Sequence, residues 1–223
     1  MSKTALIAGA SGMVGKFCLS YLLMDPAYDR VIALVRRELP LKDAKLEQIV
    51  VDFDRIEEHL SAIKADDVYC CLGTTIRDAG SQERFRQVDY DYPVRLAKSA
   101  QQNGAQQFLV VSSMGADSRS SVFYNRVKGE METAVEQAGY SSVHIFRPSV
   151  LQGLRPTFRL GERIALSVMG SLSWLMVGPM KKYRPIDVMV VAHAMVTMAK
   201  EQKPGIHRYS SDQIQQLFDE RVK

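Results

Sequence analysis

At 223 residues, with 46% hydrophobic and 24% charged side chains, the chain has an ordinary globular composition and enough length for a sizeable core. Its net charge of +4 suits an anionic cofactor or substrate and is too small to argue for nucleic acid. Cys18, Cys70 and Cys71 lie in apolar runs without a disulfide framework; with a first strand opening almost at Met1, leaving no room for a leader peptide, they point to a reducing, cytoplasmic setting.

The chain opens on an apolar run, Lys3 to Ala8, that meets Gly9-Ala10-Ser11-Gly12-Met13-Val14-Gly15 and then an apolar-periodic stretch through Val14, Phe17, Cys18, Tyr21 and Leu22. This order predicts strand, tight turn and helix. Gly9 permits the turn, Gly12 lets backbone approach a ligand, and Gly15 lets the helix pack on the strand; free N–H groups at the helix start then face the place of a pyrophosphate. The spacing is G-x-x-G-x-x-G.

Arg30 to Val35 reads as a buried second strand, ending on Arg36-Arg37. NAD-binding units carry an acid at this strand end, for the ribose 2′-hydroxyl. Arginines suit a 2′-phosphate instead, so the pair selects NADP(H). Gln48 to Val51 is a third strand leading to Asp52-Phe53, with Asp54 as the N-cap of a helix through Lys64. Asp66 to Leu72 is a fourth, followed by Gly73-Thr74-Thr75 where open α/β sheets hold ligands. Ser81 caps a helical stretch to Asn103-Gly104, interrupted at Pro93. Phe108 to Val111 is a fifth strand running into Ser112-Ser113, and a helix follows from about Ser121 to Gly139. Val143 to Phe146 is a sixth, ending Arg147-Pro148. Beyond Leu151 the alternation lapses; a helix near Asp187 to Lys200 and a short strand at Ile206 to Tyr209 close the chain. Strands alternating with helices mean an α/β fold, a Rossmann-like doubly wound parallel sheet. It is read as one NAD(P)-binding domain over 1–223 with a small substrate-side region from about 151.

Tyr124 and Lys128 stand four apart on one helix, hence on one face, with Ser112 and Ser113 at the end of a neighbouring strand. The G-x-x-G-x-x-G turn, Asp52-Phe53, Ser112-Ser113, Tyr124-x-x-x-Lys128 and Arg147-Pro148, in that order, resemble the short-chain dehydrogenase/reductase superfamily in its extended and atypical branch. Within it the chain looks most like the Tat-interacting-protein-like oxidoreductases. The supporting runs are Cys70 to Thr75, Ser112-Ser113-x-Gly115-Ala116-Asp117, Tyr124-x-x-x-Lys128-Gly129-Glu130-x-Glu132 and Phe146-Arg147-Pro148-x-Val150-Leu151.

The resemblance implies a set of roles. Gly9, Ser11, Gly12 and Gly15, with Met13 and Val14 at the helix start, hold the pyrophosphate; Arg36 and Arg37 take the 2′-phosphate; Asp52 and Phe53 meet the adenine; Leu72, Gly73 and Thr74 line the cofactor further in. Tyr124 gives a proton to a carbonyl oxygen as hydride arrives from the nicotinamide. Lys128 binds the nicotinamide ribose and, as a nearby cation, favours the tyrosinate. Ser113, in preference to Ser112, hydrogen-bonds the carbonyl. Pro148 and Val150 border the nicotinamide, and Arg147 is counted with the cofactor-binding residues. Asp89 departs from the pattern, standing where many members carry asparagine.

The remaining candidates are weaker. His59, His144, His193 and His207 lack metal-ligand spacing, and no metal is called. Arg155, Arg159 and Arg163 repeat at helical spacing, either toward an acidic substrate or as a solvated face. Ile164 to Met180 is apolar but short of the roughly 20 residues of a membrane span, so no transmembrane segment is expected. Lys181 to Arg184 is a surface basic cluster. Helices 81–103 and 121–139 offer faces for a homodimer without requiring one. The expected function is NADPH-dependent reduction of a carbonyl-type group on an unidentified small molecule. The alternative is an NADPH-binding regulatory protein that acts through protein partners.

Overall fold

The computed structural model describes residues 2–153 and 183–220. Its first strand, β1 (Lys3–Ala8), leads through the glycine turn into α1 (Met13–Met24), and β2 (Tyr28–Val35) and β3 (Leu46–Val50) follow. A short 3₁₀ turn (Phe53–Arg55) and α2 (Ile56–Leu60) precede β4 (Asp67–Cys70). Then come α3 (Ile76–Ala79), α4 (Gln82–Arg86), a π-helical turn (Gln87–Asp91), α5 (Tyr92–Gln102), β5 (Gln107–Val111), α6 (Phe123–Glu136) and β6 (Ser142–Arg147). Past these lie β7 (Leu151–Gln152), β8 (Ile186–Asp187), α7 (Val188–Glu201), β9 (Gly205–Ser210) and α8 (Ser211–Asp219).

Seven strands form one sheet in the order β3-β2-β1-β4-β5-β6-β9, parallel throughout. Order reverses between β1 and β4, so a crevice opens at their carboxyl ends, the ligand position of open α/β sheets. The expected Rossmann-like doubly wound sheet is what the chain forms. One buried layer lies between the sheet and α1, α7 and α8, with Leu22, Met195 and Ile214 fully buried. The other lies against α2, α5 and α6, with Leu60, Leu96 and Met131.

The structure departs from the sequence reading at three places. Asp52, rather than Asp54, caps the element after β3, its carboxylate accepting from the Asp54 amide at 3.0 Å, and α2 stops at Leu60 instead of Lys64. The stretch from Ser81 is two helices joined by the π turn. Pro93 sits in the first turn of α5, directly after the π turn, where its missing donor costs little. Beyond Leu151, β9 completes the main sheet and α7 and α8 pack beneath it. The unexpected α8 starts with a capping box of Ser210 and Gln213. Arg155, Arg159, Arg163, Ile164 to Met180 and Lys181-Lys182 lie outside the described residues.

Candidate functional site

Close backbone packing builds the crevice. A Cβ on Gly15 would stand 2.0 Å from the Gly9 carbonyl oxygen, so only glycine lets α1 start this near the end of β1. The Gly12 amide donates to Gly9 O at 2.9 Å and closes the turn. Gly12 is the N-cap of α1, no side chain among the described residues caps it, and the first turn carries no acid, an arrangement that favours an anion at the helix start.

Beside this turn lies a cavity of about 460 Å³. Gly9, Ser11, Gly12, Arg36, Asp52, Phe53, Leu72, Gly73 and Thr74 all line it. Met13, Val14 and Gly15 lie in the first turn of α1 and Arg37 is exposed just past β2; none of these four is part of the wall. Sequence reasoning missed Arg84 and Tyr92 on the far wall. The Tyr92 ring lies 5.5 Å from that of Phe53, and its hydroxyl donates to Asp54 Oδ1 at 2.6 Å. Burial and then the Asp54 hydrogen bond push the Tyr92 phenol up to about 12. An uncapped helix start, an arginine in the lining and an aromatic wall fit a dinucleotide with its pyrophosphate at α1.

The inner end of the cavity adjoins the predicted chemical residues through Gly73, whose missing Cβ would sit 3.7 Å from Lys128 Nζ. Lys128 is buried on α6 and its Nζ lies 2.7 Å from Oδ1 of Asp89, which is wholly buried in the π turn. The other Asp89 oxygen accepts from the Thr74 amide at 2.8 Å. Burial alone would lower the Lys128 pKa, but the Asp89 charge, followed by Tyr124, outweighs it and leaves the pKa raised. Tyr124, one turn back along α6, packs its ring 5.2 Å from buried Phe85 of α4.

The two serines part company. Ser112 Oγ donates to Glu132 Oε1, turning into the core. Ser113 Oγ is buried and has no hydrogen-bond partner among the described residues. Its loop is held from two directions: the Met114 amide donates to Pro148 O at 2.9 Å, and Asp117-Ser118 backbone crosses α6 at Gly129. A Cβ on Gly129 would stand 2.2 Å from Ser118 N, so glycine directly after Lys128 lets the loop cross there. Arg147, expected among the cofactor-binding residues, forks onto Glu132, Nε donating to Oε1 at 3.0 Å. That hydrogen bond, with the carboxylate charge, raises the Arg147 pKa further. Pro148 is buried beside this network and Val150 is exposed.

Residues 9–152 match a family model described as NAD(P)H-binding. Protein HTATIP2 of Rattus norvegicus is 40% identical over 179 residues, covering 78% of this chain and 74% of that protein. Protein FMP52, mitochondrial, of Candida albicans is 31% identical over 220 residues, covering 95% and 93%. Among solved structures, the Bordetella bronchiseptica enzyme WbmH in complex with NAD+ superposes with a TM-score of 0.71 at 16% identity, covering 98% of this chain and 80% of that one. MoeE5 in complex with UDP-glucuronic acid and NAD gives 0.67 at 19%, covering 92% and 75%. At such identities the structural likeness speaks for the fold.

Proposed function

This chain belongs to the NAD(P)H-binding family, in the Tat-interacting-protein-like branch of the atypical short-chain dehydrogenase/reductases, and from that premise we propose that it is an NADPH-dependent reductase of a carbonyl group on a small molecule. The observation that carries the reading is the buried Lys128 ammonium at the inner end of the cofactor-sized cleft, one helical turn from Tyr124. The N-terminus of α1 takes the pyrophosphate, and Arg36 grips the 2′-phosphate. A reduced nicotinamide bound in the cleft would supply the hydride. Tyr124 donates the proton to the carbonyl oxygen, and Ser113, whose hydroxyl has no partner among the described residues, hydrogen-bonds that oxygen as charge develops on it. Lys128 holds the nicotinamide ribose and steadies the phenolate left on Tyr124. Ser112, Arg147 and Glu132 support the walls from behind.

The test is NADPH oxidation by the purified protein against a panel of aldehydes, ketones and quinones, with the Tyr124→Phe variant alongside. Turnover should fall by about 100-fold or more in the variant while NADPH binding persists. Equal turnover in both would remove Tyr124 from the mechanism, and failure to bind NADPH would sink the reading altogether. For compartment, we propose the cytoplasm on the strength of free, buried Cys18 and Cys70, although the fungal relatives carry "mitochondrial" in their names. Fractionation of cells expressing the tagged chain checks this.

A further inference from the structure

Two arginines line the cleft, Arg36 just past β2 and Arg84 on α4. The second lies on a fixed platform. Ser81 caps α4, its Oγ accepting from the Arg84 amide at 3.1 Å. Phe85, wholly buried, packs its ring 5.9 Å from that of Phe123 and 5.2 Å from that of Tyr124, fastening α4 to α6.

The charge of Arg84 is not matched by a close carboxylate. Its Nη1 donates to two uncharged oxygens, Gln87 Oε1 and Tyr92 Oη, the latter at 3.2 Å. It approaches Asp54 Oδ2 only to 4.0 Å. Oδ1 of Asp54 accepts instead from the Tyr92 hydroxyl at 2.6 Å and from the Gln87 amide, both neutral donors. Arg86, two residues on, is by contrast paired with Glu130. The Arg84 guanidinium is held beside aromatic rings: its carbon lies 5.9 Å from the centre of Tyr92, whose ring lies 5.5 Å from that of Phe53.

We propose that Arg84 is a nucleotide-binding residue whose guanidinium covers the adenine ring of the cofactor, at the part of the cleft walled by Phe53, Asp54 and Tyr92. This rests on the reading of the cleft as a dinucleotide site. A guanidinium is planar and weakly hydrated, so it stacks on a flat ring as readily as it pairs with a phosphate. A cation over a π face is held more strongly as water is excluded. The surroundings favour the base over a phosphate. The Asp54 carboxylate, 4.0 Å away, would repel a second anion there, whereas a neutral purine extends the row of aromatic rings. Arg84 then contributes affinity without choosing between cofactors, because NADPH and NADH carry the same base; the choice is left to Arg36.

The experiment is fluorescence titration of the full-length chain with NADPH and with NADH, in wild type and in Arg84→Met, which keeps the stem and removes the charge. Both dissociation constants should rise by about 3- to 10-fold, and by the same factor. 2′-Phospho-ADP-ribose, which has the adenine and no nicotinamide, should lose as much when it competes with NADPH. Arg84→Lys, a cation without the plane, should recover only part of the loss. Unchanged affinity in folded Arg84→Met overturns the proposal. So does a loss confined to NADPH, which would assign Arg84 to the 2′-phosphate. Should the methionine variant fail to fold, Arg84→Gln decides on the same criteria. A wild-type chain that binds neither nucleotide would sink the dinucleotide reading and this inference together. Equal losses in a protein without turnover would sink the reductase reading alone and leave the role of Arg84 standing.

Discussion

Arg36, just past the end of β2, is in the wall of the cleft, whereas Arg37, one residue on, does not line it. The two therefore separate under mutation. Arg36→Ala should raise the NADPH dissociation constant by about 10- to 100-fold, the size of a lost charge-assisted hydrogen bond to phosphate, and leave NADH binding nearly unchanged. Arg37→Ala should do much less. Fluorescence titration of the bound nicotinamide measures both, and an equal loss of NADPH and NADH affinity would remove the 2′-phosphate from the account. At this scale the sequence shows residue types clearly and side-chain directions poorly. Adjacent serines after β5 are equivalent as text; the structure parts them because Ser112 meets Glu132, a helix away. The same holds for Asp89, visible in the sequence only as a departure from asparagine, since its partner lies on α6 and nothing local brings the two together.

At the level of elements, the edge of the sheet carries a pH-sensitive joint. His144 on β6 is wholly buried, its Nδ1 3.0 Å from Tyr209 Oη of β9 and its Nε2 2.9 Å from Ser142 Oγ, with the His207 ring stacked at 5.1 Å. Burial first, then the nearby His207 and Lys203 charges, lower its pKa to about 4. In the unfolded chain a histidine titrates near 6.5. The unfolded state therefore takes up the proton first as pH falls. The stability held in neutral His144 is complete above about pH 6.5 and is lost as pH falls toward 4, by roughly 2–3 kcal/mol. Urea denaturation at pH 7.5 and 4.5 should show this loss in wild type, with a smaller pH dependence in His144→Gln; identical slopes would mean the β6–β9 joint does not titrate. Strand β9 was legible as a short β-branched and aromatic run, but its pairing with β6 was not, because register across a crossover is a tertiary fact. The π turn was hidden for a related reason: Pro93 signals a break, and only packing decides whether the chain kinks, stops or widens.

Across the whole molecule, the sheet acts as a wall between two cores. Buried side chains of β1 alternate between them, Ala5 and Ile7 toward α1 and α7, Leu6 and Ala8 toward α2 and α5. This period-2 division was readable from the apolar run at Lys3 to Ala8, since a strand covered by helices on both faces has no polar side. Less readable was which helices cover which face. The α1–α7 contact joins the beginning of the chain to its end, and the α7 sequence, Val188 to Glu201, is apolar nearly all round. The division makes a stability prediction. Met195→Ala, on the α7 side, and Leu96→Ala, on the α5 side, each remove a fully buried side chain and should cost about 2–5 kcal/mol. Because neither cluster contains residues of the other, the double variant should show the sum within about 0.5 kcal/mol, provided it still folds. A milder pair, Met195→Val and Leu96→Val, covers the case in which it does not. A coupling well above that margin in chemical denaturation would mean that strain passes through the sheet. The crevice would then transmit it, since its wall draws Ala10 from one core and Phe53 and Tyr92 from the other. Additivity would instead leave the bound nucleotide as the element that ties the two cores together, stabilising both by mass action as its concentration rises above the dissociation constant.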